Sequence, residues 1–188
     1  GISRKGFGFR KDPYASYQRF SVLYAPNRGA YSIRYAGDFV SLFGKNHLIL
    51  GGDLVNPTLN NFFGLGNDTE IDESKGIQFY RVRYKYLEAD ALVKRRISPT
   101  LAFAVGPTFY HYWYEPENNT GKILETPSDI ELDSASVYTN KMYLGGKAAI
   151  LINNLNNELF PTRGIEWNTE YTFLSGLTGN SGALSKLS

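Results

Sequence analysis

The sequence predicts an all-β fold, an antiparallel up-and-down β-barrel or part of one with about eight strands. Three observations carry the prediction. Apolar and polar side chains alternate residue by residue in several segments, clusters of Gly, Pro and Asn punctuate those segments, and long loops alternate with short turns. Successive strand side chains point to opposite faces, so each alternating segment has one greasy side and one polar side.

A first short strand is expected over Ile2 to Arg10, ended by Lys11-Asp12-Pro13. Strands follow over Tyr17 to Ala25, Ala30 to Phe43 and His47 to Val55, joined by Pro26-Asn27-Arg28-Gly29 and Gly44-Lys45-Asn46, residues that set or permit turn dihedrals. In Ala30 to Phe39, Tyr31, Ile33, Tyr35 and Phe39 oppose Ser32, Arg34 and Asp38. A long loop covers Asn56 to Gly76. Ile77 to Ile97 reads as one long strand or as a hairpin bent near Glu88-Ala89-Asp90. Within it Tyr80, Val82, Tyr84 and Tyr86 oppose Arg81, Arg83 and Lys85. The tight Ser98-Pro99 turn leads into Thr100 to Tyr114, and a second long loop spans Glu115 to Asn140. The last strands are Lys141 to Ile152 and Gly164 to Leu174, flanking Asn153 to Arg163. In the final strand Ile165, Trp167, Thr169, Tyr171 and Phe173 oppose Glu166, Asn168, Glu170 and Thr172. No segment reads as a helix, and no linker divides residues 1–188, which form a single domain in this reading.

Up-and-down topology puts the loops at Asn56 and Glu115 on one rim and the turns at Gly44, Ser98 and Asn153 on the other. Short turns at one rim and long loops at the other are the habit of outer-membrane barrels. In such barrels the apolar face meets lipid, whereas a water-soluble β-barrel or sandwich turns it inward, where it binds a small apolar ligand. One strand by itself does not choose between them.

Composition narrows the function classes. Of 188 residues, 42% are hydrophobic and 20% charged, an ordinary globular balance that excludes disorder. Fourteen Tyr and twelve Phe beside nineteen Gly suit a β protein with aromatic girdles. Without cysteine there is neither a disulfide frame nor a thiolate metal site. The net charge of +2 comes from interleaved signs, and the longest basic run is only Lys94 to Arg96, so a nucleic-acid partner is not expected. No stretch approaches the apolar length of a membrane helix, and Gly1 to Arg10 lacks the apolar core of a signal peptide.

Candidate chemical sites are weak. His47 and His111 are the two histidines, and neither has a ligand companion at metal-binding spacing. His111 belongs to the aromatic band Tyr110-His111-Tyr112-Trp113-Tyr114, of the kind a bilayer interface selects. Asp68, Glu70, Asp72 and Glu73 lack the central Gly and terminal Glu of a calcium loop, and Phe63-Gly64-Leu65-Gly66-Asn67 lacks the third Gly and the helix of a phosphate turn. Asn118-Asn119-Thr120 fits a glycosylation acceptor too short to carry weight. Neither a nucleophile with its base nor paired carboxylates can be assembled, so no catalytic residue, cofactor or metal is expected, and the chain reads as non-enzymatic.

The turn Leu159-Phe160-Pro161-Thr162-Arg163-Gly164, preceded by Asn153, Asn154, Asn156, Asn157 and Glu158 and followed by an alternating strand, resembles the bacterial surface-antigen family of outer-membrane assembly factors, the BamA type. Pro161 fixes one backbone angle and Gly164 permits sharp re-entry into a strand. The Asn61-Phe62-Phe63-Gly64-Leu65-Gly66-Asn67 loop resembles the corresponding segment in members from Bacteroidetes. That resemblance implies a section of an outer-membrane barrel that inserts other barrels or exports an attached passenger. Its implied partners are membrane lipid, other outer-membrane proteins and a passenger domain. The expected lipid face is Tyr35, Tyr80, Tyr84, Trp167 and Tyr171, and the expected lumen lining is Arg34, Arg81, Arg83, Lys85, Glu166 and Glu170. The family's periplasmic repeats and its Val-Arg-Gly-Phe lumen loop are not in this sequence.

Overall fold

A computed structural model describes residues 1–9, 11, 14–65, 69, 71–157, 160–179 and 181–188. Within them the chain forms one antiparallel sheet of nine strands. These are β1 (Ile2–Gly6), β2 (Ser16–Ala25), β3 (Ala30–Phe43), β4 (Asn46–Asn61), β5 (Arg81–Arg96), β6 (Leu101–Trp113), β7 (Lys141–Asn153), β8 (Glu166–Gly176) and β9 (Leu184–Leu187). Their order in the sheet is their order in the chain, because each connection joins antiparallel neighbours. The end strands β1 and β9 do not pair, so the sheet is not closed.

The main departures from the sequence reading are at β1, β4, β5 and β9. The first strand stops at Gly6. β4 continues past Pro57 to Asn61, because a register shift between Val55 and Thr58 takes the proline, which has no N–H to donate, out of the ladder. β5 is unbroken at Glu88 and begins at Arg81, after a single helical turn, α1 (Gly76–Phe79). β9 is the strand that the sequence reading lacked. A second helical turn, α2 (Ser134–Val137), lies in the long loop, where the Asp133 carboxylate accepts from the N–H groups of Ala135 and Ser136.

The sheet curls. Thr58 on β4 and Lys186 on β9 line one cavity although β5 to β8 lie between them in the sheet, so the face carrying both is concave. Gly106 permits part of this closeness, since a Cβ there would stand 2.0 Å from the Ala91 carbonyl oxygen on β5. Following the register outward from Thr58 assigns every strand residue to a face, because directly paired residues share one. The buried residues of β5 to β8, Val82, Leu92, Ala102, Ala104, Thr108, Tyr143, Lys147, Ala149, Thr172 and Leu174, are all concave. Phe103, Val105, Leu144, Ile150, Trp167 and Phe173 are convex and exposed, Val105 to 62% and Trp167 to 60%.

Both long loops emerge at one rim and pack together. Tyr80, Val82 and Ile123 form a buried cluster with Phe62, Phe63 and Leu124 against it. The turns at Gly44, Ser98 and Pro161 occupy the opposite rim.

Candidate functional site

The concave wall is polar at its centre. Lys147 of β7 is 7% exposed, and its Nζ lies 2.7 Å from Asp90 Oδ2, 3.0 Å from Glu88 Oε1 and 3.5 Å from Glu170 Oε1. Two of these partners are on β5, beyond β6, and the third is on β8. The lysine reaches β5 because the intervening position, its partner on β6, is Gly106. Thr108 donates its hydroxyl to Asp90 Oδ1, so each oxygen of that carboxylate has a donor. Three carboxylates about one ammonium make a cross-strand brace whose members stabilise one another only together.

Toward the loop rim the wall is aromatic. Tyr112 packs between Tyr84, at a centroid distance of 5.9 Å, and Tyr143, at 6.1 Å. Tyr86 donates to Asp53 Oδ2, which also accepts from Arg34 at 2.9 Å. Asn60 Nδ2 donates to the Tyr84 hydroxyl at 2.9 Å.

Above the tyrosines the second long loop straps the edge of β5. The pairing of β5 with β6 ends at Lys85 and Trp113, which leaves the Arg83 N–H and C=O open on that side. The fully buried Asn119 side chain takes both, accepting from Arg83 N at 2.8 Å and donating to Arg83 O at 2.7 Å. Its amide thereby stands in for a strand residue. Lys122 continues the strap by donating to Arg81 O, and Ile123 N–H donates to Phe79 O at 3.0 Å. Burial lowers the pKa of Lys122, and the charges of Arg83 and Arg81 lower it further. Burial also pushes the Tyr114 hydroxyl up to about 12, with Tyr138 and Glu125 adding to the effect.

At the other rim, Asn156 organises the turn that carries the family resemblance. Its Oδ1 accepts from the N–H groups of Thr162 and Arg163 at 3.1 and 3.0 Å, and its Nδ2 donates to the Thr162 hydroxyl at 2.9 Å. Phe160 N–H donates to Asn157 Oδ1. Gly164 holds φ of 119°, and a Cβ there would lie 2.1 Å from Asn154 O, so glycine is required. Pro161 is exposed between these anchors, and Glu158 and Leu159 lie outside the described residues.

The expected faces are partly corrected. Tyr35, Trp167 and Tyr171 stand on the convex face, and Arg34, Glu166 and Glu170 on the concave face, as the alternation anticipates. Tyr84 does not. It is concave, paired with Thr58 and packed on Tyr112. Tyr80 is buried at 4% in the loop cluster, its hydroxyl accepting from Asp72 N–H. Arg81, Arg83 and Lys85 are convex, with Lys85 Nζ 5.1 Å from the Trp113 ring centroid. The apolar row of this segment faces inward because the loops that roof the mouth supply it with an apolar partner, which alternation within one strand does not record.

His47 Nδ1 lies 3.4 Å from Asp38 Oδ1, and His111 packs on Trp113 at a centroid distance of 3.7 Å. No cluster of three metal-ligating residues occurs among the described residues. Asp72 caps the turn at Ser74, while Gly66, Asn67, Asp68 and Glu70 lie outside the described residues. Sequence reasoning does not single out Lys147, and it names Asp90 only as part of a possible bend and Asn119 only within a glycosylation pattern. A usable signal existed for Lys147, a single cation in the otherwise apolar run Tyr143 to Ile152. None existed for Asn119, whose partner is 36 residues away.

Comparison with protein-family models, with curated proteins and with solved structures finds no match.

Proposed function

We propose that the chain is part of the wall of a bacterial outer-membrane β-barrel, its convex face against lipid and its concave face toward a polar lumen. One observation carries this reading. All six acidic residues of the strands, Asp38, Asp53, Glu88, Asp90, Glu166 and Glu170, are concave, whereas the convex face is an apolar belt. Along β5 the convex positions between Lys85 and Arg95 are Leu87, Ala89, Ala91 and Val93. At about 3.3 Å per residue and a tilt of about 40°, that interval rises about 25 Å, the height of the apolar band of such barrels. Trp113 and Trp167 mark opposite rims of the belt, as interfacial aromatics do. Arg4, on the edge strand β1, is the convex cation outside this arrangement.

The Phe160 to Gly164 turn supports a surface-antigen relationship, hence a role in inserting outer-membrane proteins or exporting a passenger, with no catalytic residue or cofactor. Nine strands with two free edges form a wall that further strands complete. The soluble, ligand-binding reading draws on the concave tyrosines Tyr84, Tyr110, Tyr112 and Tyr143. It leaves the convex belt facing water, an apolar patch far larger than soluble monomers tolerate.

Brominated-lipid quenching tests the proposal. In vesicles, the single-Trp variant W113F, which keeps Trp167, should lose emission to bromines placed near the headgroups. A folded, monodisperse protein in detergent-free buffer whose Trp167 ignores the bromines would overturn it.

A further inference from the structure

The loop-rim mouth contains a second cavity, of ≈ 290 Å³, separate from the lumen brace. Tyr84, Tyr112 and Tyr114 supply rings, Val137 of α2 closes it from the loop side, and Lys141 stands at its margin. Nearly all of the accessible lining is carbon. The rings are held before any ligand arrives: Tyr84 by Asn60, Tyr112 between Tyr84 and Tyr143, and Tyr114 by donation to Leu124 O at 3.2 Å. The roof is fixed by Asn119 on β5. By contrast the one described polar partner of Lys141 Nζ is the neutral Ser136 hydroxyl at 3.3 Å, so its charge has no counter-ion among the described residues.

We infer that this cavity binds a small aromatic monoanion, a one- or two-ring carboxylate whose ring lies among the tyrosines and whose charge meets Lys141. The volume stands at the lower end of ligand sites, which limits the occupant to about one or two rings. Edge and face contacts with the rings favour a planar aromatic body over an alkyl chain. The single cation at the margin selects an anion, because an ammonium that lacks a charged partner gains a charge-assisted hydrogen bond on binding. The site needs only the loop roof and the ends of β5 to β7, so it does not rest on the membrane reading.

Isothermal titration calorimetry tests the site directly. Protein in neutral detergent is titrated with 4-nitrobenzoate and with the uncharged 4-nitrobenzyl alcohol. Saturable binding of the acid is expected. K141Q should weaken the acid about tenfold, the scale of one charge-assisted hydrogen bond, and leave the alcohol unchanged. V137F, which fills the cavity, should weaken both while circular dichroism shows an intact sheet. Binding that never saturates, or that V137F leaves unaltered, overturns the site. Equal loss of acid and alcohol in K141Q overturns the choice of an anion.

Discussion

Lys147 and Asp90 lie 2.7 Å apart across the concave wall, from strands that are not neighbours. Their approach is possible because Gly106, on the strand between, has no side chain to block it. Together with Glu88 and Glu170 they brace β5, β7 and β8 beside the concave apolar cluster of Leu92, Ala104 and Ala149.

Removing the cation should therefore be worse than removing the whole brace. K147M leaves three half-buried carboxylates without a counter-charge and is expected to cost about 3 kcal/mol. Adding D90N should recover part of that loss. Urea unfolding in vesicles measures both, and equal stability of K147M and the double variant would remove the brace argument.

Asn119 should act locally. N119A abandons the Arg83 N–H and C=O and should cost about 1 to 3 kcal/mol, confined to the strap. N119D should fare no better, because a carboxylate cannot donate to Arg83 O. Limited proteolysis within residues 114–140 should accelerate in both variants while the sheet resists. Unchanged cleavage would mean that the strap is held elsewhere.

Charge on the convex belt should be penalised by depth. V105R should impair bilayer folding by about 2 to 4 kcal/mol if Val105 lies near the midplane, and K85Q at the rim should cost under about 1 kcal/mol. Heat-modifiable gel migration reports the folded fraction. Two variants folding alike would remove the lipid assignment.

Sidedness is open to thiol labelling, since the chain has no native cysteine to interfere. N118C and K75C lie on the long-loop rim and T162C on the other, with all three exposed. In intact cells the first two should react with an impermeant maleimide and the third should not. Equal reaction at all three would sink the proposed orientation.

At the Asn156 turn, G164A places a methyl group against Asn154 O and should cost about 1 to 3 kcal/mol through backbone strain. The melting midpoint in detergent checks it. No change would show that the turn relaxes freely.

Alternation and turn chemistry were enough for eight of the nine strands, their antiparallel order and the two rims, because both signals are local: side chains alternate by backbone geometry, and Gly, Pro and Asn fix turns where they stand. For Trp167, Tyr171, Glu166 and Glu170 alternation also anticipated which residues share a face. At Arg81 to Lys85 it also anticipated the shared faces, but not which of them is concave. There the apolar side is concave and the cations are convex, and a loop from much later in the chain packs Ile123 on Tyr80 and Val82. The brace and the strap were out of reach for the same reason. Lys147 meets Asp90 across 57 residues and Asn119 meets Arg83 across 36, and such pairs exist only once the sheet has curled.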